Sequence, residues 1–267
     1  MNLKKTRLII IGGAEDKENN KTILKEISDL LLGKDGNLVI APIASQTPNE
    51  YENIYSDVFK ELGIEKIKTL KIKDRSDAYK KENIEIIKNA DLIFFTGGDQ
   101  SRITKLLGET PIYETLIKRF EDGCIFAGTS AGASVMSEVM ISHGDDEDSP
   151  RKTGIELAPG LGFIESCIID QHFEERGRIG RLMASLAKNP KKLGIGIDED
   201  TAIVVNDQNK FRVIGSGAVY VLDGANCKGN KVSSQDVEEV ISIFNVELHL
   251  LNNKCIFDIA NRKPELA

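Results

Sequence analysis

Only three histidines, His143, His172 and His249, and four cysteines, Cys124, Cys167, Cys227 and Cys255, occur in the 267 residues. No two cysteines form a C-x-x-C pair, and no histidine–carboxylate spacing resembles a metal site, so neither a metal nor a cofactor is expected. Cys124 and Cys167 lie inside apolar runs and read as small buried hydrophobes. An excess of positive charge is missing too. The 42 acidic and 35 basic residues leave a formal charge of −7, which argues against nonspecific nucleic-acid binding. No apolar run approaches the length of a membrane span, and Met1 to Arg7 leads into neither the hydrophobic region nor the cleavage site of a signal peptide. These absences together predict a cytoplasmic protein without membrane or nucleic-acid partners.

What is present is ordinary for a globular protein: 40% apolar and 29% charged residues. The length suits one large α/β domain, taken here as residues 1–267. Short apolar runs, Arg7 to Ile11, Asn37 to Ala41, Lys66 to Leu70, Asp91 to Phe95 and Cys124 to Ala127, alternate with helical patterns. The helical stretches include Thr22 to Leu32, Asn49 to Leu62 and Ser76 to Lys88. Continuous apolar strands separated by such helices predict βαβ units and a parallel sheet covered on both faces. Further strand-like pieces follow at Phe163 to Ile169, Leu193 to Ile197, Ala202 to Val205, Phe211 to Ile214 and Ala218 to Val221. They are expected to continue the sheet with antiparallel strands. A helix from about Gly177 to Lys188 interrupts them, and the polar stretch His143 to Thr153, with its acidic run Asp145 to Asp148, reads as an exposed loop.

The strongest chemical signal is Gly128-Thr-Ser-Ala-Gly132, a G-x-S-x-G pattern directly after an apolar strand. It predicts a nucleophile elbow, a sharp strand-to-helix turn that exposes the oxygen of Ser130. Small neighbours are needed because bulk would clash as the chain doubles back. Gly12-Gly13, Gly97-Gly98, Ser130 and Gln171-His172 all follow predicted strands. In open α/β sheets, ligands bind outside the carboxyl ends of the strands. Neither glycine pair extends to a phosphate-binding motif.

A serine nucleophile needs an adjacent base and a group that orients the base. His143 sits in the charged stretch, and His249 lies in an alternating run where it reads as part of a solvated face. His172 closes a strand, where the sheet can aim it at Ser130. The orienting acid is sought in Gly194-Ile-Gly-Ile-Asp-Glu-Asp-Thr201, where an apolar run ends in three carboxylates. The residues themselves leave Asp198, Glu199 and Asp200 open. The order Ser…His…acid differs from the Ser…acid…His order of α/β-hydrolases.

Five motifs in order carry a resemblance: Gly12-Gly-Ala-Glu-Asp16, Phe95-Thr-Gly-Gly-Asp-Gln100, Gly128-Thr-Ser-Ala-Gly-Ala133, Asp170-Gln-His-Phe-Glu-Glu-Arg-Gly-Arg-Ile-Gly-Arg181 and Gly196-Ile-Asp-Glu-Asp-Thr-Ala202. Across nearly the whole chain they resemble the cyanophycinase family, in a serine-peptidase group that also holds aspartyl dipeptidases. The resemblance implies Ser130 as nucleophile, His172 as base and Glu199 as acid. It also implies a three-layer sandwich with a largely parallel central sheet, of the class I glutamine-amidotransferase type, and a homodimer. The implied substrate is cyanophycin, a poly-aspartate backbone bearing arginine on its side-chain carboxylates, degraded from its end to β-Asp-Arg dipeptides. Alternatives are cleavage of small Asp-X peptides, or a silent protein that holds an arginyl ligand.

With Ser130 so placed, the oxyanion hole is expected from the N–H of Ala131 and from the Gly97-Gly98-Asp99 segment, Gly98 or Asp99 supplying the second donor. Arg176, Arg178 and Arg181 are candidates to hold substrate carboxylates, because guanidinium forks bind them bidentately. Gln100 and Gln171 are candidate polar contacts. Asp16, Asp99 and Asp170 are candidate partners for a substrate guanidinium, Asp170 having a second possible role in stabilising the loop of His172.

Overall fold

The computed structural model describes residues 6–33, 35–144, 154–229 and 240–266. In chain order the first half runs β1 (Thr6–Ile11), α1 (Thr22–Leu32), β2 (Leu38–Ala41), α2 (Pro48–Glu61), β3 (Ile67–Thr69), a short 3-10 helix (Arg75–Tyr79), α3 (Lys81–Lys88), β4 (Leu92–Phe95), α4 (Gln100–Leu107), α5 (Pro111–Glu121), β5 (Ile125–Thr129) and α6 (Ala131–Ser134). The second half contains β6 (Val139–Gly144), β7 (Ile155–Pro159), β8 (Cys167–Gln171), α7 (Ile179–Lys188), β9 (Leu193–Ile197), β10 (Thr201–Asn206), β11 (Lys210–Gly215) and β12 (Val219–Asp223). It ends with the two-residue pair β13 (Lys228–Gly229) and β14 (Ile243–Phe244), then β15 (Glu247–Leu251), β16 (Cys255–Asp258) and β17 (Lys263–Leu266).

The central sheet has nine strands in the order β17-β16-β11-β10-β1-β5-β4-β2-β3. From β1 to β3 every pairing is parallel, and from β1 outward through β10 to β17 every pairing is antiparallel. The sheet is therefore mixed rather than largely parallel. Successive residues of its apolar strands feed opposite faces. Ile9, Ile11, Phe94 and Ala127 pack with Ile23, Leu24, Ile27, Tyr55 and Phe59 of α1 and α2. Leu8, Ile10, Phe95 and Phe126 face the other way, toward Ile103, Leu107, Ile112 and Leu116 of α4 and α5. Full burial of each such aliphatic or aromatic side chain contributes about 1.5–3 kcal/mol.

The antiparallel half differs from expectation. A second sheet, β15-β12-β9-β8, covers one of its faces in place of helices, while α1 packs on the other. Ile195, Ile197, Val219 and Val221 of that sheet join Ile203, Val205 and Phe211 of the central sheet in one core. The outer face of the small sheet is closed by Leu182 and Leu186 of α7, which meet Ile168, Phe173 and Leu222. Strand-like pieces expected in one sheet thus divide between two: β10 and β11 extend the central one, while β8, β9 and β12 leave it. Asp198–Asp200 form the corner where the chain crosses from one sheet to the other.

Local departures have local causes. The helix expected from Ser76 to Lys88 is broken near Lys80, because Asp74 and Asp77 form a reciprocal capping box that closes a single 3-10 turn first. His143 lies in β6, paired with β7, rather than in a loop. Asp145 to Asp148 lie outside the described residues. His249 is not on a solvated face: its side chain is 15% exposed and packs 5.5 Å from the Phe257 ring. Cys124 and Cys167 are buried as expected, and burial pushes both thiols up to about 12. Among the described residues, no helix is long and apolar enough to cross a membrane.

Candidate active site

Ser130 stands between the end of β5 and the start of α6, with φ 54° and ψ −114°. Such a conformation costs a non-glycine residue on the order of 1–3 kcal/mol and persists only where the surroundings over-determine it. The surroundings do so here. The Ser130 N–H donates to the Ile11 carbonyl, and its own carbonyl accepts from Ala133 and Ser134. The flanking glycines are required by close approach. A Cβ on Gly128 would fall 2.3 Å from the Gly132 carbonyl oxygen, and one on Gly132 would fall 2.3 Å from that of Phe95.

His172 and Glu199 come from the small sheet. Strands β8 and β9 are parallel neighbours, with Gln171 opposite Ile197, so the residues just beyond them emerge side by side. The crossover through α7 accounts for the 26 residues that separate His172 from Glu199 in sequence. His172 has φ 46°, and its N–H donates to the Gly12 carbonyl at 2.8 Å. Phe173 anchors the turn, its ring lying where a Cβ on Gly196 would be, 2.4 Å from the nearest ring atom. The result is a relay. His172 Nε2 is 3.1 Å from Ser130 Oγ, and His172 Nδ1 is 2.5 Å from Glu199 Oε1. Gln171 Oε1 also lies 3.4 Å from Ser130 Oγ, too far to compete with the imidazole.

The other two carboxylates of the corner have different work. Asp198 is buried and accepts from the N–H groups of Glu174 and Ala218, and burial raises its pKa. Asp200 accepts from the Asp16 N–H and the Ser216 hydroxyl. Only Glu199 of the three meets the imidazole, and its own N–H donates to Glu175.

Gly97 lies against the serine: a Cβ there would approach Ser130 Cβ to 3.5 Å. Asp99 does not fit the expected oxyanion donor. Its N–H donates to the Ala44 carbonyl at 3.0 Å, and its carboxylate caps α4 through the Ser101 N–H. Gln100 braces the β6 hairpin, its side-chain amide donating to the carbonyls of Ile141 and Ser142.

Arg178 and Arg181, the carboxylate contacts expected from sequence, turn inward. Both are buried. Arg181 embraces the carboxylate of Asp170 through Nε at 2.7 Å and a terminal nitrogen. Arg178 donates to the Gln171 carbonyl at 2.6 Å. Asp170 is fully buried, pairs with Arg181 and accepts from the Gln171 N–H at the strand end that carries His172. Arg176 is exposed. The Asp16 carboxylate accepts from the N–H groups of Asn19, Lys21, Glu18 and Asn20, which hold its carboxyl well below the usual range. Among the described residues, no group of three or more His, Cys, Asp or Glu is placed to hold a metal.

The residues missed from sequence are Glu15, Thr129 and Tyr55. Glu15 is buried and accepts from the Thr129 and Tyr55 hydroxyls, each at 2.6 Å. The available signal was a carboxylate two residues after the glycine pair at a strand end.

A serine with strained backbone, an imidazole in reach of its oxygen and a carboxylate behind that imidazole define the class of serine hydrolases that work through an acyl-enzyme. The comparisons narrow the class. The family model described as Peptidase family S51 matches residues 8–213. The chain is 37% identical over 260 residues to a cyanophycinase of Geminocystis herdmanii, covering 97% of this chain and 94% of that protein. It is 36% identical over 259 residues to a cyanophycinase of Synechococcus elongatus, covering 97% and 80%. A crystal structure of a peptidase from an acI-B1 Actinobacterium superposes with a TM-score of 0.64 at 24% identity, over 81% of this chain and 90% of that one, a likeness of fold. The chain belongs to peptidase family S51.

Proposed function

We propose that this chain is a cyanophycinase, a serine-type exopeptidase that hydrolyses the poly-aspartate backbone of cyanophycin and releases β-Asp-Arg dipeptides. The observation that carries the reading is the Ser130–His172–Glu199 relay in a chain 36–37% identical, over nearly its full length, to cyanophycinases. Ser130 Oγ attacks the scissile carbonyl as His172 Nε2 takes its proton. Glu199 keeps the proton on Nδ1 and stabilises the imidazolium. His172 returns the proton to the leaving amine. Water then attacks the acyl-enzyme by the same route and restores Ser130. The oxyanion donors are the N–H groups of Ala131 and Gly98, at the head of α6 and in the loop lying against the serine. Exposed Arg176 and the Gln171 side chain beside Ser130 are the substrate contacts. In this reading Ser130 sits on a nucleophile elbow in a single catalytic domain of the class I glutamine-amidotransferase type, and the enzyme is cytoplasmic and homodimeric.

The test compares β-Asp-Arg release from cyanophycin with hydrolysis of Asp-Leu. Preferential release of the dipeptide from the polymer is the expected result. Asp-Leu cleavage without attack on the polymer would reassign the enzyme as an aspartyl dipeptidase, and binding without hydrolysis of either would leave only a ligand-holding role.

A further inference from the structure

The loop after β1, residues 12–16, touches every segment that carries a member of the relay. The Gly12 carbonyl accepts from the N–H of His172 at 2.8 Å, and the Gly13 carbonyl accepts from the N–H of Asp200, next to Glu199, at 2.8 Å. The Asp16 N–H donates to the Asp200 carboxylate at 2.9 Å. The remaining leg reaches Thr129, the neighbour of Ser130, and it is made by a side chain. Glu15 Oε2 accepts from Thr129 Oγ1 at 2.6 Å, Oε1 accepts from Tyr55 at 2.6 Å, and the Lys17 ammonium pairs with Oε1 at 3.0 Å. The Glu15 side chain is fully buried.

We propose that Glu15 is a positioning residue for the nucleophile: its buried carboxylate ties Thr129 to the loop that holds His172 and so sets the register in which Ser130 meets the imidazole. The inference rests on the triad reading above. Strand β5 is already paired with β1, with Thr129 opposite Ile11, so sheet formation alone does not require a buried charge at this point. A buried carboxylate is costly unless every oxygen is answered. Here both oxygens are answered, and the groups that answer them belong to three different segments. Two of the contacts are hydrogen bonds to an ionised group, which are stronger than neutral ones and more sensitive to geometry. A displacement of Ser130 Oγ by a fraction of an ångström would lengthen a contact to His172 that is already 3.1 Å. Misplacement on the ångström scale costs on the order of 10²-fold in rate.

The experiment measures kcat and KM on cyanophycin, together with the second-order rate of Ser130 modification by a fluorophosphonate, which reads the nucleophile without a peptide substrate. Thr129→Val is near-isosteric and removes only the hydroxyl, and Glu15→Gln keeps the shape and removes the charge. Thr110→Val, which removes a buried hydroxyl from the cap of α5, controls for general destabilisation. Thr129→Val and Glu15→Gln should each lower kcat and the modification rate together, by roughly tenfold, with KM changed less than about threefold. The double variant should be no slower than the worse single one, since both cut the same tie. Thr110→Val should lower only the melting temperature. Wild-type kcat and modification rate in folded Thr129→Val would overturn the proposal. A wild-type protein in which Ser130 is not modified at all would instead remove the triad reading, and the proposal with it.

Discussion

Gly13→Ala adds a single methyl group where the loop after β1 crosses the imidazole, and it leaves every catalytic atom in the chain. Gly13 has φ +111°, a region that costs an alanine about 1–2 kcal/mol. A Cβ there would lie 2.4 Å from both Nε2 and Cε1 of His172, where ordinary contact begins at 3.4 Å. The ring must therefore retreat by about 1 Å if the loop holds. It is poorly placed to do so, since Nδ1 is 2.5 Å from Glu199 and Nε2 is 3.1 Å from Ser130. The loop is held as firmly, by the bonds from Gly12 and Gly13 to His172 and Asp200. A 1 Å error at a reacting group costs about 10²-fold, or about 2.7 kcal/mol of barrier. The variant should release β-Asp-Arg about 100-fold more slowly, while its melting temperature falls by only about 2–8 °C. Steady-state kinetics and a thermal melt on one preparation measure both. A folded Gly13→Ala protein with wild-type kcat would refute the claim that the methyl group and the imidazole compete for one space.

Replacing Glu199 by Gln should preserve the fold and lower kcat by about 10³–10⁴-fold, because an amide cannot stabilise the imidazolium; a loss under tenfold in steady-state kinetics would contradict its role. Arg181→Ala should lower the melting temperature by about 10 °C, since it strips Asp170 of its bidentate partner and such a loss costs about 3–5 kcal/mol. Arg181→Lys should not restore stability, because lysine lacks the fork; a calorimetric melt like that of the parent would show the pair to be dispensable. The ammonium of Lys80, then the N–H of Lys73, lower the pKa of Asp77 from 3.8 to about 2. A carboxyl depressed in the folded state stabilises above its unfolded pKa and loses that contribution as pH falls through the folded one. The melting-temperature gap between the parent and Asp77→Asn should therefore narrow from pH 5 to pH 2, and a gap independent of pH would contradict this.

The parallel half of the fold was legible because β1, β2, β4 and β5 are built on short apolar runs, and β1, β4 and β5 lead into glycine-rich or small-residue turns. The small sheet was not. The pieces that became β8, β9 and β12 carry the same apolar signal as β10 and β11, and nothing in a strand's own residues says which sheet it joins. That choice is made by distant contacts, such as those of Ile195 and Val221 with Ile203 and Val205. Ser130 and His172 could be read because a G-x-S-x-G turn is distinctive and histidines are scarce. Glu199 could not be separated from its neighbours by composition, since the geometry that selects it is the matched ends of β8 and β9. The internal partners of Arg178 and Arg181 were hidden for a related reason. A charged residue near a catalytic histidine reads as a ligand contact, and nothing in its neighbours along the chain announces burial or contacts such as those with Asp170 and the Gln171 carbonyl. Glu15 escaped notice because its hydroxyl partners lie 40 and 114 residues away.

The most direct test of the central claim is mass analysis of the products formed from purified cyanophycin by the wild-type protein and by Ser130→Ala. Removing a single small hydroxyl at the turn after β5 opens no core cavity, so the variant should fold and bind polymer normally. The account predicts β-Asp-Arg as the released product of the wild type and no release by Ser130→Ala. Substantial dipeptide release by the variant, or free arginine in place of the dipeptide from the wild type, would contradict it.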